Sequence, residues 1–121
     1  MRIELEIPFP PSSNHIWRGA GRTVYATREY KDFKDRVATI WRSVVPSDWN
    51  ASCEYAVTIE LYQGSRRRYD VDNRIKPTLD ALTSAGAWID DSQVQSVTAV
   101  KRTDGDTRRR AIVEIKRTRY D

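Results

Sequence analysis

A helical periodicity that follows Thr27 limits the folds open to this 121-residue chain more than any other pattern in it. Its apolar residues recur at spacings of three, four and seven, and they are Tyr30, Phe33, Val37, Ile40, Trp41 and Val44. Thr27 is a good N-cap and Pro46 excludes continuation, so the pattern predicts one amphipathic helix between them. A helix with one apolar face must pack against a second layer, which the rest of the chain has to supply.

Segments with strand periodicity lie before and after this helix. Residues 2–7 and residues 55–61 alternate polar and apolar side chains, which predicts half-buried strands. Two more strands are predicted at residues 94–101 and 111–117. They are joined by TDGDTRRR, which predicts a hairpin with its turn near Gly105.

The remaining segments are a loop and a second helix. Residues 8–26 hold prolines, glycines and small polar residues without periodicity, which predicts a long loop. A shorter helix is predicted from about residue 76 to residue 85, and Gly86 is its expected C-terminal stop. Pro77 lacks a donor, so regular helix is expected to start after Arg74.

The element order is therefore β, loop, α, β, α, β, β within a single domain, residues 1–121. This order predicts an α+β fold in which a mixed sheet of about four strands packs against two helices.

Composition narrows the function classes. The net charge of +4 and the pI of about 9.4 favour an anionic partner. Mean hydropathy is −0.70 and no apolar run approaches the roughly 20 residues that a membrane span needs, so we expect a soluble, intracellular protein. Cys53 and His15 are each the sole residue of their type, which excludes an intrachain disulfide and disfavours a zinc site. A metal here has to be held by oxygen.

Two acidic pairs supply such oxygens. In an extended backbone, Asp70 and Asp72 point the same way with Cα atoms roughly 6.5 to 7 Å apart, and converging carboxylates call for a cation such as Mg²⁺ between them. Asp90 and Asp91 follow the second helix. If that helix runs antiparallel to the next strand, we expect this pair to return toward the helix start near Asp72, with only one of the two joining the cluster.

Each feature also has an ordinary explanation when it is taken alone. An Asp-x-Asp beside arginines is most often a solvated turn with surface ion pairs, and residues 66–68 fit a solvated run of charge. Asn73 or Asp72 can cap a helix, and Lys76 is by default a surface lysine. The case for a site therefore depends on the combination.

Taken together, the motifs resemble a known family. DVDNRIKPTLDALTSAGAWIDDSQV is similar to the signature of the RusA family of Holliday junction resolvases, in which Asp-x-Asp-Asn is followed by a helix and then by Asp-Asp-x-x-Val. PFPPSSNHIWR resembles the proline-rich N-terminal segment of that family. The likeness covers essentially the whole chain and implies a RusA-like α+β fold.

The resemblance implies roles for particular residues. The metal-binding and catalytic carboxylates of the family match Asp70, Asp72 and Asp91, and its catalytic lysine matches Lys76. Asn73 and Asp90 are expected to support them, Asp90 in a role that the pattern does not define. The expected DNA contacts do not come from the resemblance: carboxylates repel DNA, so such a site has to be surrounded by residues that bind phosphates. The residues expected to contact DNA are Asn14, Arg18, Arg66, Arg67, Arg68 and Arg74.

The resemblance also implies a homodimer that cuts branched DNA, the four-way junction. It implies Mg²⁺ as the cofactor, with Mn²⁺ able to replace it, and a location in the cytoplasm of a bacterial host cell. Many members of the family are encoded by phages or prophages. Apolar residues expected at the dimer interface are Trp41, Val45, Trp49 and Trp88. Two alternatives remain: a nuclease for forks, flaps or RNA, and a DNA-binding module that does not cut.

Overall fold

The computed structural model describes residues 1–20 and 23–119, without the side chains of residues 20–25 and 119. Its strands and α-helices are β1 (Arg2–Pro8), β2 (Trp17–Ala20), β3 (Thr23–Ala26), α1 (Arg28–Val44), β4 (Glu54–Tyr62), α2 (Ile75–Ala85), β5 (Val94–Lys101) and β6 (Arg110–Arg119). Short 3-10 turns occur at Ser13–His15, Asp72–Arg74 and Asp91–Gln93. In this part of the chain, no helix is both long and apolar enough to cross a bilayer.

The main sheet has four strands in the order β1-β6-β4-β5. Strand β6 runs antiparallel to both β1 and β4, whereas β5 runs parallel to β4. Helix α2 makes the crossover between the two parallel strands, as parallel pairing requires. A mixed four-stranded sheet with two α-helices confirms the predicted α+β class.

The hairpin predicted between the last two strands is wrong, because β4 lies between β5 and β6. The connecting segment does turn at Gly105, whose φ is +80°. It begins by passing over the end of β4, where the Arg102 amide donates to the Leu61 carbonyl at 2.8 Å. A turn motif reports a reversal of the chain, but which strands then pair depends on the whole sheet.

The long loop predicted for residues 8–26 is also wrong in part. Strands β2 and β3 pair with each other in a separate two-stranded sheet. The buried Ile16 precedes this small hairpin, and its carbonyl accepts a hydrogen bond from the Thr27 amide at 3.0 Å. Strands of only four residues around glycines carry too little alternation to be recognised from sequence.

Both predicted helices are confirmed. The Thr27 hydroxyl accepts the Tyr30 amide at 3.3 Å at the start of α1. Gly86 ends α2 with φ +96°, the left-handed conformation that glycine adopts without strain. The predicted apolar face of α1 is buried against the sheet through Tyr30, Phe33 and Val37, together with Trp41.

The tryptophans expected at a subunit interface belong to the core. Trp41 and Trp88 are 3% and 1% exposed, and Trp49 and Val45 are partly buried against the same cluster. The Trp49 indole donates to the Ala87 carbonyl at 2.8 Å. The expectation of interface residues is therefore wrong for Trp41 and Trp88, because large aromatic side chains in so small a domain are needed to fill its interior. It stays a prediction for Val45 and Trp49, which are only partly buried.

Candidate active site

The Asp-x-Asp segment stands at the N-terminal end of α2. Val71 has helical angles, φ −61° and ψ −46°, and Asp72 opens a 3-10 turn. The backbone between the two aspartates is therefore not extended, and the expected convergence of Asp70 with Asp72 through a strand-like spacing is wrong. Residues two apart in a helical turn point in different directions. Both carboxylates are exposed to solvent.

Asn73 connects this segment to the N-terminal part of the chain. Its Nδ2 donates to Asp70 Oδ2 at 3.4 Å, and its Oδ1 accepts the Ser13 hydroxyl at 3.1 Å. Asn73 thus orients Asp70, a supporting position of the kind that the sequence motif predicts.

Arg74 makes its contacts within the protein. Its Nη1 donates to the Pro10 carbonyl at 2.8 Å, and its guanidinium lies 5.1 Å from the centre of the Phe9 ring and 5.7 Å from that of Tyr69. Burial, and next the charge of Arg109, lowers the pKa of Arg74. These contacts tie the start of α2 to the proline-rich segment.

The second acidic pair precedes β5, and its two members do different things. Asp90 is an N-cap: its Oδ2 accepts the Ser92 amide at 2.9 Å, and Gln93 Oε1 in return accepts the Asp90 amide at 2.9 Å. Hydrogen bonds from Ser92 lower the pKa of Asp90. Asp91 Oδ1 accepts the Thr83 hydroxyl and, at 3.4 Å, the Trp88 indole. The Asp-x-x-Gln spacing is a capping-box signal by which sequence reasoning could have assigned Asp90.

Asp91 does not return to the helix start. It contacts Thr83, near the C-terminal end of α2, whereas Asp72 lies just before the N-terminal end. The 11 residues of α2 separate the two ends by about 16 Å. Strand β5 follows α2 closely, so the residues just before β5 lie near the C-terminal end of α2. The expectation that Asp90 and Asp91 return to the start of α2 is therefore wrong. In residues 1–20 and 23–119, no three carboxylate, imidazole or thiol groups form a metal-binding cluster.

Lys76 reaches a partner that sequence reasoning missed. Its Nζ lies 3.4 Å from Asp80 Oδ2, and the same oxygen accepts the Tyr30 hydroxyl at 3.0 Å. Asp80 and Tyr30 line, with Asp91, a cavity of about 310 Å³. Burial, and next the charge of Asp80, raises the pKa of Tyr30, which keeps its hydroxyl a donor. The lysine–aspartate spacing of four on a helix was the available signal.

In the part of the chain that the structure describes, the carboxylates of the motif have no cationic partner. Among the described side chains, none forms a salt bridge with Asp70, Asp72 or Asp91, although arginines flank the first two in sequence. The turn at Asp72 is exposed, as the ordinary explanation of this motif expects, but the surface ion pairs of that explanation are absent among the described side chains. Exposed oxygen donors with an amide beside them fit a hard cation that keeps several waters. One chain places Asp70, which is hydrogen-bonded to Asn73, and Asp72 in this exposed segment, apart from Asp91.

Among the arginines of residues 66–68 and 102–110, two groups differ in whether acidic residues neutralise them. Arg108 and Arg110 are neutralised by acidic residues, Arg108 by Asp106 at 2.9 Å and Arg110 by Asp104 at 2.7 Å. Arg102 pairs with Glu60 at 3.0 Å in the same way.

The second group is Arg66, Arg67 and Arg68, which are exposed and form no salt bridge with any described side chain. They line a cavity of about 460 Å³, and Tyr69, which precedes Asp70 in the sequence, lines it too. Asn14 and Arg18 are also exposed and line another cavity, of about 530 Å³, on the N-terminal side.

The family model described as Endodeoxyribonuclease RusA matches residues 8–116. Proteins named crossover junction endodeoxyribonuclease RusA from Escherichia coli strain K12 and from Enterobacteria phage 82 are each 38% identical to this chain over 98 residues, which is 80% of either sequence. The protein of that name from Shigella sonnei is 37% identical over the same length. The chain belongs to the endodeoxyribonuclease RusA family.

Proposed function

We propose that this protein is a structure-specific DNA endonuclease that resolves four-way junctions by paired, symmetric nicks in DNA recombination and repair. Its relatives are named for cutting crossover junctions. The observation that carries the proposal is the pairing of exposed, uncompensated carboxylates at Asp70 and Asp72 with uncompensated arginines at residues 66–68. A bound cation would neutralise the carboxylates, and the phosphates of bound DNA would neutralise the arginines.

The cofactor of this proposal is Mg²⁺, with Mn²⁺ able to replace it, held by Asp70, Asp72 and Asp91. When bound, such a cation offsets charge on the phosphate and lowers the pKa of the attacking water. Asn73 keeps Asp70 in place, and Thr83 keeps Asp91 in place. Lys76, one turn beyond Asp72, stabilises the negative charge that develops on the phosphate or the leaving oxygen.

The two acidic groups lie at opposite ends of α2, and a homodimer can bring one group from each chain together at a single cation site. Within one chain about 16 Å of helix separates them. A second copy, related by a two-fold axis, can place its Asp91 beside Asp70 and Asp72 of the first copy. By the same symmetry, Asp91 of the first copy then lies beside Asp70 and Asp72 of the second. The dimer then presents two identical sites, which matches the approximate two-fold symmetry of a four-way junction.

The proposed DNA path follows the uncompensated basic residues. Arg66, Arg67 and Arg68 would contact phosphates at the cavity that they line with Tyr69. Asn14 and Arg18 would contact the strand at the other cavity, which they line. Arg108 and Arg110 would lie outside the path, since acidic neighbours already neutralise them.

Cleavage of matched substrates tests the proposal. The unmodified protein is incubated with a four-way junction, a fork, a flap, a linear duplex, a single strand and an RNA hairpin, with Mg²⁺, with Mn²⁺ or with chelator. We expect cation-dependent nicks at symmetric positions in two opposed strands of the junction. Equal cutting of forks, flaps or RNA would favour another nuclease activity. Junction binding without nicking under either cation would instead leave a non-catalytic binding module.

A further inference from the structure

Three side chains from two helices form a continuous chain of polar contacts. The Tyr30 hydroxyl on α1 donates to Asp80 Oδ2 on α2 at 3.0 Å, and Lys76 Nζ lies 3.4 Å from that same oxygen. Tyr30 is 1% exposed, the Asp80 side chain 21%, and the Lys76 side chain 63%. The contacts therefore run from the core to an exposed ammonium group.

We propose that Asp80 is a positioning residue for nicking, which fixes the place of the Lys76 ammonium through a carboxylate that Tyr30 holds; this inference rests on the proposed function. Neither Asp80 nor Tyr30 belongs to the Asp-x-Asp-Asn or the Asp-Asp motif, although both line one cavity with Asp91.

This pair differs from an ordinary helical surface pair in the rigidity of its acidic partner. An ion pair between an exposed lysine and an exposed aspartate four residues apart usually contributes little free energy, because both side chains lose conformational freedom when they pair. Here the carboxylate is mostly buried and is bonded from the neighbouring helix, so its conformation is already fixed when Lys76 approaches. Only the lysine then loses freedom.

The anchor for Asp80 is itself immobile. The Tyr30 ring is buried in the core and meets the Trp17 ring edge-on with centres 5.9 Å apart. Burial raises the pKa of the Tyr30 phenol, so the hydroxyl stays protonated and donates throughout the range in which DNA is handled. A fixed donor gives the carboxylate one orientation, and the carboxylate gives the ammonium one direction.

The consequence concerns the rate of nicking and not the affinity for DNA. An ammonium on a flexible stem stabilises a transition state best when its position is set before the charge develops. Without the Asp80 charge, Lys76 keeps its own charge and can still attract DNA, but it spends less time where the bond breaks.

The test uses single-turnover nicking of a four-way junction by the full-length protein with Mg²⁺, beside junction affinity and thermal unfolding. Asp80→Asn keeps the size and the acceptor for Tyr30 but removes the charge that holds Lys76. We expect nicking about tenfold slower, with the dissociation constant within about twofold and the unfolding midpoint nearly unchanged. Asp80→Glu restores the charge and should recover part of the rate. Asp35→Asn, an exposed aspartate on α1, is the matched control and should nick normally.

Tyr30→Phe approaches the same contacts from their other end without changing any charge. It should slow nicking in the unmodified background and have no further effect on top of Asp80→Asn. Independent, additive losses would overturn the proposal, as would an Asp80→Asn protein that nicks at the normal rate or that loses affinity in step with rate. An unmodified protein that never nicks junctions would overturn both this inference and the proposed function, whereas the other outcomes leave the nuclease intact.

Discussion

Asp72 lies at the first position of a 3-10 turn, exposed and without a salt bridge in the described part of the chain. We expect Asp72→Asn to reduce junction nicking by about a hundredfold or more, because a cation ligand is lost where charge develops. Junction binding should persist and can tighten, since one negative charge near the phosphates is removed. Nicking with Mg²⁺ and binding with chelator, measured side by side, check this prediction.

The control for Asp72→Asn is the stability of the folded chain. An exposed carboxylate without a salt bridge contributes little to folding, so the thermal midpoint should stay within a few degrees of the unmodified value. A normal nicking rate in a stable Asp72→Asn protein would remove this aspartate from the site.

Arginines that look alike in the sequence differ in what already neutralises them. Arg67→Ala should weaken junction binding and reduce the slope of log affinity against log salt concentration by about one, because one phosphate contact is lost. Arg108→Ala is the matched control: Arg108 is compensated by Asp106, so its loss should leave both quantities nearly unchanged. Fluorescence anisotropy at several salt concentrations measures both. Equal effects of the two substitutions would place the 102–109 connection in the DNA path.

At the scale of elements, the local features were predictable and the long-range ones were not. Helix α1 is predicted by its apolar periodicity and its N-cap, and the end of α2 is predicted by Gly86. Each of these signals involves only residues that are close together in the sequence. The partner of β5 depends on β4, about 40 residues earlier in the chain, and no turn signal carries that information. The sequence pattern therefore predicts both α-helices, the strands of the main sheet and the α+β class. It predicts neither the small hairpin of β2 and β3 nor the order of strands in the main sheet.

The candidate site shows the same division. The sequence motif identifies Asp70, Asp72 and Asp91, but the expectation that chain geometry joins them fails because α2 carries the chain away from the first pair before Asp91 is reached. The Tyr30–Asp80 bond joins residues 50 positions apart on different helices, which periodicity cannot reveal.

The loop that follows β4 depends on a glycine. Gly64 has φ +79°, and a Cβ added there would lie 2.2 Å from the Thr107 carbonyl oxygen. We expect Gly64→Ala to destabilise the fold by about 3 kcal/mol, from the left-handed backbone together with the clash. Gly105→Ala is the control, since Gly105 has φ +80° but open space around its Cβ, and it should cost only about 1 kcal/mol. Urea unfolding gives both values, and equal costs would show that the loop relaxes away from Thr107.

The stability that the connection between β5 and β6 contributes to the fold should depend on pH. A hydrogen bond from Arg110 at 2.7 Å lowers the pKa of Asp104 below its ordinary 3.8. Since the folded pKa is depressed, the stabilisation is present above pH 3.8 and is lost as pH falls through the lower folded value. Asp104→Asn should therefore unfold at a slightly lower temperature than the unmodified chain at pH 6, with the difference vanishing in strong acid. A difference that persists in acid would assign the effect to shape instead of charge.

At the scale of the whole molecule, the parallel pairing of β4 with β5 determines where the acidic groups stand. Residues 70 and 72 follow β4 and precede α2, whereas Asp91 precedes β5 at the far end of the helix. Each chain thus presents half of the proposed cation site at either end of α2. Two chains related by a two-fold axis would complete two sites, and a single chain would complete neither.

Mixed dimers distinguish sharing between chains from rearrangement within one chain. Chains carrying Asp72→Asn and Asp91→Asn, with different affinity tags, are co-expressed, and the dimer bearing both tags is purified. If sites are shared, one site of this dimer carries both substitutions and the other carries neither, so nicking should return to about half the unmodified level, with only one strand cut per dimer. If each site lies within one chain, both sites stay damaged and nicking stays lost.

Two control dimers make the mixed-dimer result decisive. A dimer of Asp72→Asn with the unmodified chain keeps one intact site under either arrangement, so it must nick. A dimer of Asp70→Asn with Asp72→Asn has two damaged sites under either arrangement, so it must not. Of these three dimers, only the pairing of Asp72→Asn with Asp91→Asn gives different outcomes under the two arrangements. Asp72 and Asp91 stand at opposite ends of α2, whereas Asp70 and Asp72 stand at the same end. Sedimentation as a monomer at the assay concentration, with nicking intact, would instead require the segment before α2 and the turn before β5 to come together within one chain.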